Sequence, residues 1–388
     1  MYIASVSLRN VRAFENLHLN LSENQKGAVA PPRLRTVLIG KNGTGKTTLL
    51  RAIAVGLADG KDASGLLSEP NGSLVAEGHR RATIKITLCD MDGQNRREYR
   101  TEIEKENGSD KLHSKKPHKW HGGSSSTPLD ILVCGYGIGR CNYGPVESRG
   151  NRVIDSSYSL FNYEATLADP EVACYRLRKF LDDDWNRFWE RMKVAIGLPE
   201  DTILATDLNG LYVSGESIGK KILLKAWADG CRNTLTWLFD LYTWAMMAKR
   251  IDKETFEISG IVLMDEIEQH LHPSLQISQL SRLSALVGRV QIVATTHSPF
   301  VALGANAQEL VALRRTSSTI ESIDSLPNFR GFSVEDIVRH KRLFDAQVYN
   351  KQYENILYRY RNIVKIPESN RTPSVSYTHL TLPTKRIV

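Results

Sequence analysis

Residues Gly40 to Thr47 read Gly-Lys-Asn-Gly-Thr-Gly-Lys-Thr, a complete G-x-x-x-x-G-K-T phosphate-binding loop. Glycines at 40, 43 and 45 let backbone N–H groups wrap the β- and γ-phosphates of a nucleoside triphosphate. Lys46 is placed to reach those phosphates and the Thr47 hydroxyl to hold Mg²⁺, while Asn42 and Thr48 complete the candidate binding set. A second constellation is Ile261-Val262-Leu263-Met264-Asp265-Glu266, four apolar residues closed by two carboxylates. On a buried strand this run delivers Asp265 to the Mg²⁺ shell and leaves Glu266 to polarise an attacking water as general base. A third, Val293-Ala294-Thr295-Thr296-His297-Ser298-Pro299, ends another apolar run in a polar turn whose His297 is placed to contact a γ-phosphate.

Each constellation needs an element to hold it. The phosphate loop follows the apolar run Thr36 to Ile39 and precedes a helical pattern beginning at Thr48, whose N-terminus adds partial positive charge. Tyr2, Ala4, Val6 and Leu8 alternate as on a strand, and Leu17, Leu19 and Leu21 answer them, so the chain opens with a hairpin. A second alternating pair covers Thr83–Leu88 and Tyr99–Ile103, with Asp92-Gly93 as its turn. The polar stretch from Glu104 to Thr127 reads as an exposed loop, and Leu129–Cys134 as a buried strand ahead of Gly135-Tyr136-Gly137-Ile138-Gly139-Arg140. Helical patterns follow over Pro170–Leu198, Asn233–Lys249 and Ser333–Ile366, the last charged and dotted with aromatics.

The chain has 388 residues, 41% hydrophobic and 24% charged, enough for one large domain or two packed lobes. No apolar run is long enough to span a bilayer and the N-terminal strand has no secretory h-region, so a cytoplasmic protein without membrane partners is expected. Five cysteines without a C-x-x-C pair read as buried thiols. The net charge of +8 gathers in His79–His121 and Arg314–Val388, which favours an anionic macromolecular partner, nucleic acid in the first instance.

Taken together, these motifs resemble the ATP-binding-cassette ATPases of the SMC, RecF and OLD (overcoming lysogenization defect) group, with the OLD-like branch nearest. Asn10-Val11-Arg12-Ala13-Phe14-Glu15 is similar to the end of that group's opening strand, which implies that Arg12 lies near the nucleotide phosphates. Asp265 to Pro273 resembles the branch's Walker B strand and D-loop, and Thr296 to Pro299 its switch histidine. The resemblance implies Asp265 as Mg²⁺ ligand, Glu266 as catalytic base and His297 as γ-phosphate sensor, with ATP and Mg²⁺ as cofactors. The group's signature motif falls at Trp227 to Arg232, so Asp229 and Gly230 are expected to meet the nucleotide of an opposite protomer. Ala228 departs from the pattern, standing where a serine hydroxyl usually contacts the γ-phosphate.

The implied fold is α/β, a P-loop ABC-type head with a mixed central sheet, an N-terminal antiparallel part and a helical lobe. Its expected divisions are 1–140 (phosphate loop and hairpins), 141–250 (helical lobe with the signature-like motif), 251–312 (Walker B and switch histidine) and 313–372 (basic helical segment). Residues 373–388 end in a run that resembles a translated sequencing-adapter tail, so 373–388 is expected to be foreign and disordered and 313–372 truncated. The implied function is an ATPase head that forms a homodimer around ATP and couples hydrolysis to nucleic acid, DNA before RNA, in DNA repair or anti-phage defence. The alternatives are the ATPase portion of an OLD-like nuclease whose nuclease domain or separate effector subunit lies elsewhere, a transporter ATPase subunit, and a nucleotide switch with negligible turnover. Glu268 and His272 have the four-residue spacing of metal ligands on a helix but lack further partners, so the D-loop reading is preferred.

Overall fold

The computed structural model describes residues 1–22, 32–92, 96–121, 131–144, 153–316 and 319–346. Short, wholly apolar runs make strands that must be covered on both faces. Six strands form the central sheet: β3 (Arg35–Ile39), β7 (Val133–Tyr136), β13 (Gly260–Met264), β14 (Val290–Thr296), β15 (Leu310–Arg315) and β16 (Ile320–Ile323). They lie in the order β16-β15-β3-β14-β13-β7, with every neighbouring pair parallel except β15 and β16. Successive side chains divide between two cores: Val37, Ile39, Val262 and Met264 enter one, and Leu38, Ile261, Leu263 and Val293 the other.

The first core is closed by α4 (Pro170–Leu181), α5 (Trp185–Ile196), α6 (Asp229–Met247) and α7 (Pro273–Val287). Leu177, Phe188, Leu235, Tyr242 and Leu283 fill it. The second core surrounds α1 (Lys46–Leu57), in which every residue but Thr47 is buried. A helix apolar on all sides needs two covering layers. Its second cover is an antiparallel sheet of β1 (Tyr2–Val11), β2 (Phe14–Asn20), β4 (Arg81–Cys89), β5 (Arg96–Glu106) and β6 (Ser109–His121), ordered β2-β1-β4-β5-β6. The mixed sheet, antiparallel part and helical lobe are therefore all present.

Smaller elements complete the chain: α2 (Gly60–Ser68), β8 (Tyr143–Gly144), α3 (Val153–Ser157), β9 (Leu167–Ala168), α8 (Pro299–Gly304) and α9 (Val334–Arg339). A three-stranded antiparallel sheet of β10 (Ile203–Asp207), β11 (Gly210–Gly215) and β12 (Gly219–Leu223) lies between α5 and α6 in sequence.

The structure departs from the sequence expectation in three places. Glu104 to His121 is not a loop: β6 pairs antiparallel with β5 from Glu106↔Ser109 to Arg96↔His121. Its turn is Asn107-Gly108, with φ of 50° and 83°, the left-handed pair that a tight hairpin requires. The charged composition of β6, suited to a sheet edge, hid it. The expected helix from Ser333 is only α9; it starts on a Ser333–Asp336 capping box and stops at Arg339, after which Leu343 turns back into the core. Residues 347–388, including the adapter-like tail, lie outside the described residues, as does Gly93 of the first expected turn. Finally, Glu268 and His272 do not share a helix: His272 is the N-cap of α7, its ring accepting from Ser274 N–H. No cluster of metal-ligating side chains occurs among the described residues.

Candidate nucleotide site

The parallel strands β3, β14, β13 and β7 all end on one edge of the sheet, where Thr296 pairs with Ile39, and Met264 with both Ala294 and Tyr136. Ligands bind at such carboxyl ends in open α/β sheets. This register brings the phosphate loop, the Asp265-Glu266 turn and His297 together, although more than two hundred residues separate the first from the others.

The loop leaves β3 at Gly40 and enters α1 through Gly45, whose φ of 79° is left-handed. A side chain at Gly45 would also collide with the Phe14 ring, so the start of β2 buttresses the loop. Lys46 is buried, and its Nζ donates to the carbonyl oxygens of Gly40 (2.8 Å) and Lys41 (3.1 Å). Burial pulls this ammonium down to about 8 against the opposing field of Asp265, Glu268 and Glu266. An ammonium desolvated by a glycine loop and held by carbonyls is a cation waiting for an anion. Thr44 and Thr48 are buried beneath the loop, and Asn42 is exposed on it. Two later segments also reach the loop: Arg315 donates to Gly43 O at 3.0 Å, and Lys41 pairs with Asp345 at 3.3 Å.

Thr47 Oγ1 donates to Asp265 Oδ2 at 2.7 Å, which sets a hydroxyl and a carboxylate side by side. The other Asp265 oxygen accepts from Thr295 Oγ1 at 2.5 Å, and Glu266 N–H in turn donates to Thr295 Oγ1 at 2.8 Å. Glu266 has a φ of 49°, a conformation that costs a non-glycine residue on the order of 1–3 kcal/mol and persists only under external restraint. Burial raises the Glu266 carboxyl above the ordinary carboxylate range, with Glu268 and Asp265 adding to the rise. Burial lowers the His297 imidazole, and Lys46 lowers it further, which favours the neutral ring. Glu268 secures the histidine turn, accepting from Thr296 Oγ1 (2.8 Å) and from His297 N–H (2.6 Å). The role of Thr295 escaped the sequence reading, where the signal available was a pair of threonines closing an otherwise apolar strand, and Glu268 holds the histidine turn instead of sharing a ligand set with His272.

Three expected site residues stand outside this hydrogen-bonded cluster. Arg12, at a φ of 46°, donates from Nε to Ser73 O (2.6 Å) and from Nη2 to Asn71 O (3.2 Å). Asp229 and Gly230 open α6, where exposed Asp229 pairs with Arg232 at 2.5 Å. A Cβ on Gly230 would strike the carbonyl of His270, so only glycine lets α6 pack this closely on the D-loop. Ala228 is the N-cap of α6 and has no side-chain capping bond. The first turn of α6 thus keeps its N–H groups without that cap.

Fold and site together define a P-loop ATPase of ABC type. The chain matches the family profile of the AAA ATPase domain over residues 1–119 and a further AAA domain profile, described with a Type IV TA system, over 234–303. It is 25% identical over 351 residues to the Septu protein PtuA of Bacillus mycoides (strain KBAB4), covering 88% of this chain and 44% of that protein. A 123-residue stretch is 24% identical to the "Retron Vc95 probable ATPase" of Vibrio cholerae serotype O1 biovar El Tor, covering 31% of this chain and 24% of that one. The chain therefore spans less than half the length of these relatives. Among solved structures, an SMC head bound to the C-winged helix domain of ScpA superposes with a TM-score of 0.52 at 14% identity, over 83% of this chain and 97% of that one. The chain is an AAA ATPase with the fold of an SMC head.

Proposed function

We propose that the chain is an ATP-hydrolysing head that closes as a homodimer around ATP and couples turnover to nucleic acid in anti-phage defence. The observation that carries the reading is the direct Thr47–Asp265 hydrogen bond beside a buried Lys46 and the Asp265-Glu266 turn. The donor set fits Mg²⁺: Thr47 Oγ1 and Asp265 are hard oxygen ligands, already adjacent, and Mg²⁺ joins such groups to substrate phosphates. The metal would supply charge neutralisation. Glu266 accepts the proton of the attacking water, Lys46 and the loop N–H groups hold the phosphates, and neutral His297 donates toward the γ-phosphate. Arg12 is assigned to the phosphates by resemblance alone; its guanidinium is held by the Ser73 and Asn71 carbonyls. Relatives from Septu and retron systems support defence over DNA repair, and the matching Asp265–Pro273 segment keeps the OLD-like branch in view. A nuclease or other effector, either a separate subunit or a further domain, is the expected partner. No helix among the described residues is long and apolar enough to cross a membrane.

Nucleic acid is assigned to the basic antiparallel sheet. Arg80 beside it and Arg81 and Arg100 within it pair with Glu104 and Glu102, and exposed Arg96 and Lys105 are taken as the candidates. Lys115 belongs elsewhere. Its Nζ donates to the carbonyls of Val55 (2.9 Å) and Gly56 (3.1 Å), and so caps the C-terminus of α1. Lys115→Glu should therefore destabilise the protein rather than probe DNA binding. The test is phosphate release from ATP with and without Mg²⁺ and DNA, alongside DNA affinity measured across a salt series. Mg²⁺-dependent release is expected, with binding that falls steeply with salt. Charge reversal at Arg96 and Lys105 should weaken binding to all sequences alike and flatten the log–log salt slope by about one for each phosphate no longer neutralised. An absence of DNA binding at low salt would leave those charges as solvated surface.

A further inference from the structure

We infer that Arg140 is a positioning residue for ATP hydrolysis: its buried guanidinium fixes the backbone of the Asp265-Glu266 turn, and so the direction of the general base. The inference rests on the assignment of Glu266 as base. Arg140 lies in the strap that leaves β7, on the strand edge beside β13, and it is only 3% exposed. Its Nη1 donates to Gly137 O (3.1 Å) and Asp265 O (2.6 Å), and its Nη2 donates to Glu266 O (2.6 Å). A guanidinium has five donors in a planar fork, which lets it bridge two consecutive carbonyls; an ammonium presents a point charge instead. Burying a cation on backbone carbonyls is costly, and a chain that needed only a packed strap would fill this position with an apolar residue.

The restraint answers a specific need. Glu266 sits at a left-handed φ, and its peptide is pinned on both sides, N–H to Thr295 Oγ1 (2.8 Å) and carbonyl to Arg140. Asp265 is held likewise, its N–H donating to Tyr136 O (2.8 Å) and its carbonyl accepting from Arg140. Gln269 Nε2 adds a parallel tie, donating to Ile138 O at 2.7 Å. Without the guanidinium the turn is free to relax toward ordinary backbone angles, which swings the Glu266 carboxylate while leaving the phosphate loop untouched. The strap continues into β8, which pairs with β9 ahead of α4, so the arginine also ties the hydrolytic turn to the start of the helical lobe.

The test measures kcat, KM and binding of a fluorescent ATP analogue for the intact chain, Arg140→Ala, Arg140→Lys, Glu266→Gln and the Arg140→Ala/Glu266→Gln double variant. Arg140→Ala is expected to lower kcat about 10- to 100-fold, the loss that a misplacement of about an ångström produces, with analogue affinity held within about threefold. Arg140→Lys should recover part of the rate, and it serves alone if the alanine variant does not fold. The double variant should be no slower than Glu266→Gln, because Arg140 acts through Glu266. Wild-type kcat in Arg140→Ala, or parallel losses of affinity, rate and melting temperature with no recovery by lysine, would overturn the inference. If Glu266→Gln itself turned over normally, the assignment of the base would fall first and take the inference with it. A dead Glu266→Gln beside a fully active Arg140→Ala would sink the inference alone.

Discussion

Glu266→Gln is expected to bind ATP as tightly as the unaltered chain and to hydrolyse it about 10²–10⁴-fold more slowly, the range that a positioned general base contributes. The two side chains are nearly isosteric, and what places Glu266 is its peptide, which Thr295 holds through the N–H. Binding rests on other groups, the loop amides and Lys46 with its buried ammonium. The change therefore removes proton acceptance and little else. The pH profile gives a second signature. Burial raises the Glu266 carboxyl of the nucleotide-free protein, so the acid limb of kcat/KM should be shifted upward from that of an ordinary carboxylate, activity rising with pH as the proton leaves. In Glu266→Gln that limb should vanish together with the rate. Quenched-flow phosphate release and filter retention of labelled ATP measure the two quantities separately. Full hydrolysis by the variant would mean that the base lies elsewhere.

Lys46→Ala is expected to do the opposite, abolishing measurable ATP binding while sparing the fold. The Lys46 ammonium is desolvated and held by the Gly40 and Lys41 carbonyls, so the empty protein carries a buried cation whose charged form burial disfavours. Removing it should leave the melting temperature of the nucleotide-free chain unchanged or higher. The thermal shift with nucleotide should disappear; in the unaltered chain, ligand at 100 times Kd should stabilise by about 2.7 kcal/mol. Calorimetric titration and melting curves run on the same preparation check both halves. Retained affinity would remove the phosphate loop from the site, and a collapsed melting temperature would make Lys46 structural.

Much of the site could be read in the chain because its parts are local. Gly40 to Thr47, Ile261 to Glu266 and Val293 to Pro299 each combine an apolar run with a polar turn, and each turn falls at the carboxyl end of its strand. What could not be read is how those ends are held. Thr295 and Glu268 act through hydrogen bonds whose partners are fixed only by the β13–β14 register. The bridge from Arg140 to Asp265 and Glu266 depends on β7 joining the sheet beside β13. In the fold, the β5–β6 and β10–β11 pairings are missing from the sequence reading, although Asn107-Gly108 forms the first turn and Leu208-Asn209, followed by Gly210, the second. β6 is a charged edge strand with little alternation, and there the turn residues are the better guide. The Ser333 pattern failed for the opposite reason: its helical period was real for one short helix, but docking of Leu343 sets where the chain turns.

The proposed closure of two heads over ATP would bring Asp229-Gly230, at the N-terminus of α6, against the partner's nucleotide. Light scattering of Glu266→Gln with ATP, with ADP and without nucleotide tests it most directly, with Asp229→Arg added in the same background. ATP can shift the equilibrium only by its differential affinity for the closed pair, so the mass should double with ATP and not with ADP. Asp229 is exposed and pairs locally with Arg232, so its replacement should leave the monomer folded and block the doubling. The same mass in all three nucleotide states, unchanged by Asp229→Arg, would contradict closure over ATP.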